Sequence, residues 1–273
     1  MQDQIEEREK TTVFSKGGPS LCSRVGCKRR LATGVPAEWP LPDVIRDRTR
    51  LTVCSGLLSE KNYLNPRFKG GDFIYGETEM EDEARKKCGV SRQEAYVLMK
   101  QYLPQDNMQK HSIATEAIMR VLAEKLGFDR DIWGIAGLLH DLDYSETKDD
   151  MKRHGLLTEE ILKEKGVSKE ITGAIKSHNA DNLGFERKEP FEHAITCAEC
   201  ITGMIVATTL VYPDKKIASV KPKSITKRMK QKEFARSVNR EYIMECEKIE
   251  ISLPDFAVLS LEAMKEISGE LGL

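Results

Sequence analysis

From Ser91 onward the chain reads as one amphipathic helix after another, and that periodicity restricts the fold to helices packed on helices. Ser91 followed by Glu94 fits a capping box opening SRQEAYVLMKQYL, and Pro104 lies just beyond the last apolar residue. Over residues 108–126, Ile113, Ala117 and Val121, flanked by Ala114, Ile118 and Leu122, share one face, and Gly127 ends the pattern. DIWGIAGLLHDL begins with an acid at its positive end and turns Ile132, Ile135, Ala136 and Leu139 inward. Further helices are predicted at 151–165, ended by Gly166, and at 168–178, capped by Ser168. Others follow at 191–211, 224–238, 240–248 and 255–270, with Pro254 suited to the first turn of the last. No strand pattern and no repeat intervenes, so the fold class is all-α.

Residues 1–88 differ. Gly17-Gly18, Gly70-Gly71 and prolines at 19, 36, 40, 42 and 66 interrupt every apolar period, which predicts a disordered or loosely docked N-terminal extension before a helical domain over 89–273. Met80 also stands where a start assigned too far upstream would be corrected. Cys22, Cys27, Cys54 and Cys88 make a poor zinc set, because the first pair has no matching second pair and no histidine nearby. Seven cysteines at irregular spacing, behind a start without a basic-then-apolar leader, read as reduced thiols of a cytoplasmic protein. The formal net charge of -1 gives no reason to expect nucleic acid or an anionic membrane as an obligate partner. The apolar stretch 194–212 approaches the length of a membrane span, but it carries Glu199 and four threonines. An acid near mid-span costs roughly 2.5 to 3.5 kcal/mol, so a buried core helix is expected and no membrane partner.

The five histidines, His111, His140, His154, His178 and His193, all fall between residues 111 and 193. A lone histidine on an amphipathic helix is more often a hydrogen-bonded core or surface residue than a ligand. Here, however, His111 lies early in one predicted helix and His140 with Asp141 closes the next, so two imidazoles and a carboxylate come from neighbouring helices. Glu199 supplies a fourth donor. Buried in an apolar helix, its carboxylate needs a lysine, a raised pKa or a metal, and a metal explains the acid and the histidines together. Two nitrogens and two oxygens suit a divalent first-row ion better than calcium or a thiolate-held zinc.

The runs HSIATEAIMRVLAEKLG, AGLLHDLDY, AIKSHN and CAECITGMIVA resemble the HD superfamily of metal-dependent phosphohydrolases, and among them the small HD-domain proteins of bacteria and archaea, from about Val90 to Leu273. The resemblance implies an HD-domain helical bundle and assigns a metal to His111, His140, Asp141 and Glu199. The late acid is a glutamate where the family usually has aspartate. Leu142-Asp143-Tyr144 stands where many relatives carry Ile-Gly-Lys, which removes a lysine that could touch a phosphate. In two-metal members the aspartate of the pair bridges both ions while later histidines hold the second, which points to His154 and His178. His193, six residues before Glu199, faces about 120° away from it on a straight helix and is expected to be structural.

An ion held by this set, whether Mn, Mg, Fe, Co, Ni or Zn, would activate water for attack on a phosphate ester, and a second would clamp the leaving oxygen. The catalytic expectation therefore rests on Asp141, with Asp143 orienting a ligating histidine or the water. Lys148, Lys152 and Arg153 are candidates for the phosphate of a small phosphorylated substrate such as a nucleotide. The segment 221–240 holds eight lysines or arginines against one acid, Glu233; it reads as a solvated helix face, with contact to a nucleotide or RNA as the sharper alternative. Two other functions share the pattern: a di-iron oxygenase of the same fold and a non-catalytic nucleotide-binding module.

Overall fold

A computed structural model describes residues 83–273. The extension expected over 1–88 lies outside them except for residues 83–88, as do Cys22, Cys27 and Cys54. Residues 83–88 are helical and packed onto the helical domain: Cys88 is fully buried, and its carbonyl accepts the Ser168 N–H at 2.9 Å.

The long elements are α1 (Arg92–Tyr102), α2 (Asp106–Leu126) and α3 (Arg130–Leu139), then a short α4 (Tyr144–Thr147), α5 (Leu156–Glu164), α6 (Lys169–Ser177) and a short α7 (Ala180–Leu183). After them come α8 (Pro190–Leu210), α9 (Pro222–Met229), α10 (Arg240–Ile243), α11 (Leu253–Glu266) and α12 (Ser268–Leu271). Two short 3-10 turns, Ile217–Ser219 and Met244–Ile249, complete the path. Among the described residues there is no strand, and the all-α fold stands.

The predicted caps are in place. Glu94 N–H donates to Ser91 Oγ while Ser91 N–H donates to Glu94, closing the capping box on α1. Ser168 caps α6, and Gly127 and Gly166 adopt the left-handed backbone that ends a helix. Two helices are shorter than their periodicity implies. α5 begins at Leu156 rather than 151, because Asp143 Oδ2 takes the N–H groups of Gly155 and Thr158 and Asn179 Nδ2 donates to the carbonyls of Met151 and His154. α9 stops at Met229. The Arg240 guanidinium gathers the carbonyls of Met229, Gln231, Phe234, Ala235 and Val238, and so folds residues 230–239 into turns instead of a helix.

α2 and α8 are the central pair. α3 lies closest to α2, with Gly134 and Gly137 at the contact. A Cβ added to Gly137 would sit 3.0 Å from both the backbone N and the Cα of Glu116, so the close approach needs glycine. Glu116 itself is buried, and two arginines satisfy it: Arg92 Nε at 2.6 Å and Arg120 Nε at 3.0 Å, the latter also reaching Asp131 at 2.8 Å. By length and composition α8 could cross a membrane, yet 61% of its apolar window is buried inside the protein, where it serves as a core helix.

Candidate metal centre

Two of the site histidines arise from one local device. The last carbonyls of a helix lack intrahelical partners, and at the C-terminus of α3 the His140 Nδ1 donates back to Gly137 O at 2.8 Å. His178 does the same to Ile175 O at the end of α6. A carbonyl can only accept, so Nδ1 carries the proton in both rings and each Nε2 is left free. His111 on α2 is fixed from outside: Thr202 Oγ1 donates to Glu199 O at 2.6 Å and therefore accepts from His111 Nδ1 at 2.9 Å. His154, in the turn before α5, donates Nδ1–H to Asp143 Oδ1 at 2.8 Å. All four imidazoles thus turn Nε2 toward one place.

There they form two sets. His111 Nε2 and His140 Nε2 lie 3.2 Å apart, and Glu199 joins them within 4.8 Å. His154 Nε2 and His178 Nε2 lie 2.8 Å apart, with Asp141 as their carboxylate. Asp141 faces both: Oδ2 is 3.3 Å from His140 Nε2 and 3.7 Å from His111 Nε2, while Oδ1 is 3.2 Å from His154 Nε2 and 3.8 Å from His178 Nε2. Paired nitrogen lone pairs at such distances repel unless a cation or a proton lies between them. This donor set fits two divalent ions sharing one aspartate.

Glu199 supports the same fit by contrast with Glu116. Both are acids inside a helix, but no lysine or arginine among the described residues pairs with Glu199, and its side-chain partner is the Cys200 thiol at 3.1 Å. Burial pushes its carboxyl up to about 7, with the charge of Asp141 adding to the effect and His140 opposing it. Burial also depresses His178 to about 3 and His111 to about 4, each helped by neighbouring imidazoles. His154 goes the other way: burial would lower it, but the carboxylates of Asp141 and Asp143 prevail and raise it to about 10.

These directions set the sign of metal binding with pH. At pH 7 His154 carries a proton on Nε2 and Glu199 is about half protonated, and both must be lost before a cation can be held. His140 is also raised, burial being outweighed by the Asp141 carboxylate, so loading with Mn2+ should release at least one proton per chain, and affinity should rise from pH 6 to pH 9. Titration calorimetry in buffers of different ionisation enthalpy measures that release; uptake of protons, or affinity that falls as pH rises, would contradict the ligand set.

The centre opens on a cavity of about 410 Å3, into which His111, Asp141, His154, His178 and Glu199 face beside Tyr144, Asn182, Asn239 and Tyr242. Among the described residues, no lysine or arginine lines it. Lys148, Lys152 and Arg153, expected at a substrate phosphate, are exposed and outside the cavity, because the turn that carries them points Met151 and His154 inward instead. Asp143, expected to orient a ligating histidine or the water, holds the histidine: its carboxylate is fully buried and spent on His154, Gly155 and Thr158, and it does not line the cavity. The basic segment 221–240 gives the cavity Ser237, Val238 and Asn239, while its lysines are exposed. His193 pairs with Glu245, outside both metal sets.

Sequence reasoning missed Thr202 and the small residues between α2 and α3. Thr202 follows Glu199 by three residues, a spacing that shares a helix face. Gly134 and Gly137 repeat the same spacing inside a helix that has no other reason to hold glycine.

Histidines and acids from packed helices, arranged around one shared aspartate, define a helical protein with a group of side chains that could hold metal. Residues 108–202, which contain every member of both sets, match the family model of the HD domain, so this part of the chain is an HD domain. A segment of 75 residues is 32% identical to Ribonuclease Y of Oleidesulfovibrio alaskensis. That similarity covers 28% of this chain and 14% of the ribonuclease, so the chain spans about a seventh of the relative's length. No solved structure matches.

Proposed function

We propose that this protein hydrolyses a phosphate monoester with two divalent ions held by His111, His140 and Glu199 on one side and His154 and His178 on the other, with Asp141 between them. The observation that carries this reading is the division of labour in Asp141, whose two oxygens face two separate sets of Nε2 donors. Bound ions at such a centre supply an activated water and neutralise charge on the phosphoryl oxygens.

The chain's own residues do the rest. Thr202, Gly137, Asp143 and Ile175 hold the four imidazoles in one tautomer, so no reorientation is needed when the centre is filled. Tyr144, Asn182 and Asn239 offer hydrogen-bond donors around the substrate, while the Tyr242 hydroxyl donates to Asp181. Because no lysine or arginine lines the cavity among the described residues, the positive charge that would hold a phosphate comes from the ions, which makes substrate binding metal-dependent.

Metal analysis of the purified protein, followed by a phosphatase screen with Mn, Mg, Co, Ni, Fe and Zn, tests the proposal. Two ions per chain and metal-dependent phosphate release are expected from monoesters. The screen should include nucleotides and a short RNA, since the similar segment belongs to a ribonuclease. Oxygen consumption without phosphate release would favour the di-iron alternative, and bound nucleotide without turnover the non-catalytic one; either overturns the hydrolase.

A further inference from the structure

A second cavity, about 520 Å3, lies against the metal-centre cavity and shares Met108, His111, Gly203 and Ser237 with it. Its wall is mainly apolar, from Ala114, Val206, Ala207, Leu210, Leu271 and Leu273. Apart from His111, Lys110 is the charged side chain in that wall, and its ammonium is engaged by Asp106 at 2.9 Å. One helix joins the two spaces. Gly203, Val206, Ala207 and Leu210 follow each other at helical spacing along α8, beginning one turn after Glu199, and none of the four is buried in the core.

Gly203 stands at the junction. Glycine inside a helix costs roughly 1 kcal/mol against alanine, and its position in α8 calls for no special backbone. A Cβ there would meet Val238 Cγ2 at 3.1 Å, across the gap between the two cavities. The missing side chain leaves room where the linings of the two cavities meet.

We propose that this second cavity receives the organic part of the substrate, and that this part is apolar and uncharged: the natural substrate is the phosphomonoester of an apolar alcohol. The inference rests on the phosphate site being the metal centre. Charge and shape together support it. Among the described residues the metal-side cavity has no lysine or arginine to bind a second or third phosphate, and the adjoining space has mainly apolar walls with Lys110 partly exposed beside Asp106, so it suits an apolar group better than a polyphosphate or a charged sugar.

Binding of methylphosphonate and decylphosphonate, which cannot be hydrolysed at a P–O–C bond, to the Mn-loaded protein reads the proposal by calorimetry. Decylphosphonate should bind at least tenfold more tightly, since each buried methylene favours binding by up to about fourfold. Ala207→Phe, which fills the cavity, and Leu210→Asn, a change at an exposed position that leaves the fold intact, should each reduce the decyl-to-methyl ratio severalfold. Equal affinities in the native protein, or a ratio that neither substitution moves, would overturn the subsite. Hydrolysis separates the two readings. Chain-length-dependent phosphonate binding without phosphate release from decyl phosphate would leave the subsite standing and end the hydrolase, whereas release from methyl and decyl phosphate at equal efficiency would do the reverse.

Discussion

Asp141→Ala should lower metal-dependent turnover by well over a hundredfold and reduce bound metal from two ions to less than one, with helical circular dichroism retained. The magnitude follows from position. Loss of a partner that merely orients a ligand typically costs 10- to 100-fold in affinity or activity, and Asp141 stands closer, with one oxygen facing each histidine pair. Its removal leaves four imidazole nitrogens at 3.2 and 2.8 Å with no carboxylate between the sets. The neighbouring imidazoles hold the Asp141 carboxyl well below the usual carboxylate range despite its burial, which favours its ionised form. The fold should survive, because the helices around the site are fixed by Leu138, Leu139 and Leu142 in the core and by the Glu116 ion network, none of which the substitution touches. A variant that still binds two ions, or retains phosphate release, would remove Asp141 from the centre of the mechanism.

Gly137→Ala should reverse the usual sign of its substitution. In an ordinary helix interior the change is worth about 1 kcal/mol of stability. Here the new methyl group would press on the backbone N and Cα of Glu116, both 3.0 Å away, and on Met119 Cγ at the same distance. Backbone cannot swing aside as a flexible side chain can, so α3 must move away from α2, a repacking that typically costs about 1 to 3 kcal/mol. Set against the ~1 kcal/mol gained in helix propensity, the net loss reaches about 2 kcal/mol, which for a domain of this size lowers Tm by up to roughly 8 °C. The same movement carries His140 away from His111, because one rides on α3 and the other on α2 and their Nε2 atoms are only 3.2 Å apart. Thermal unfolding and metal titration should therefore fail together, and the metal-free protein should already show the lower Tm. A variant with unchanged or raised Tm would show that the contact between the two helices is not tight.

Much of this was legible in the residues. The apolar period of 3.6 located α2, α3, α6 and α8 within a few positions, since those helices bury a continuous face and end on glycine, a capping serine or a proline. The ligand residues were legible for a different reason. A carboxylate such as Glu199 within an apolar helix has few stable partners, and clustered histidines supply the ion that would serve. The helices that misread, 151–165 and 224–238, carry the right composition but lose their backbone hydrogen bonds to distant groups: Asp143 and Asn179 in the first, Arg240 in the second. No local pattern shows a partner that arrives from elsewhere in the chain.

The sequence by itself determined which side chains could bind a cation, because donor type and helix position are local properties. Tertiary structure alone decided how closely the two sets approach Asp141, that Asp143 orients His154 rather than a water, and that Lys148, Lys152 and Arg153 stay in solvent. The reason is geometric. Periodicity states which way a residue points from its own helix axis, but the distance between Nε2 atoms on α2 and α3 depends on how closely two helices approach, and that spacing is set by the absent side chain of Gly137.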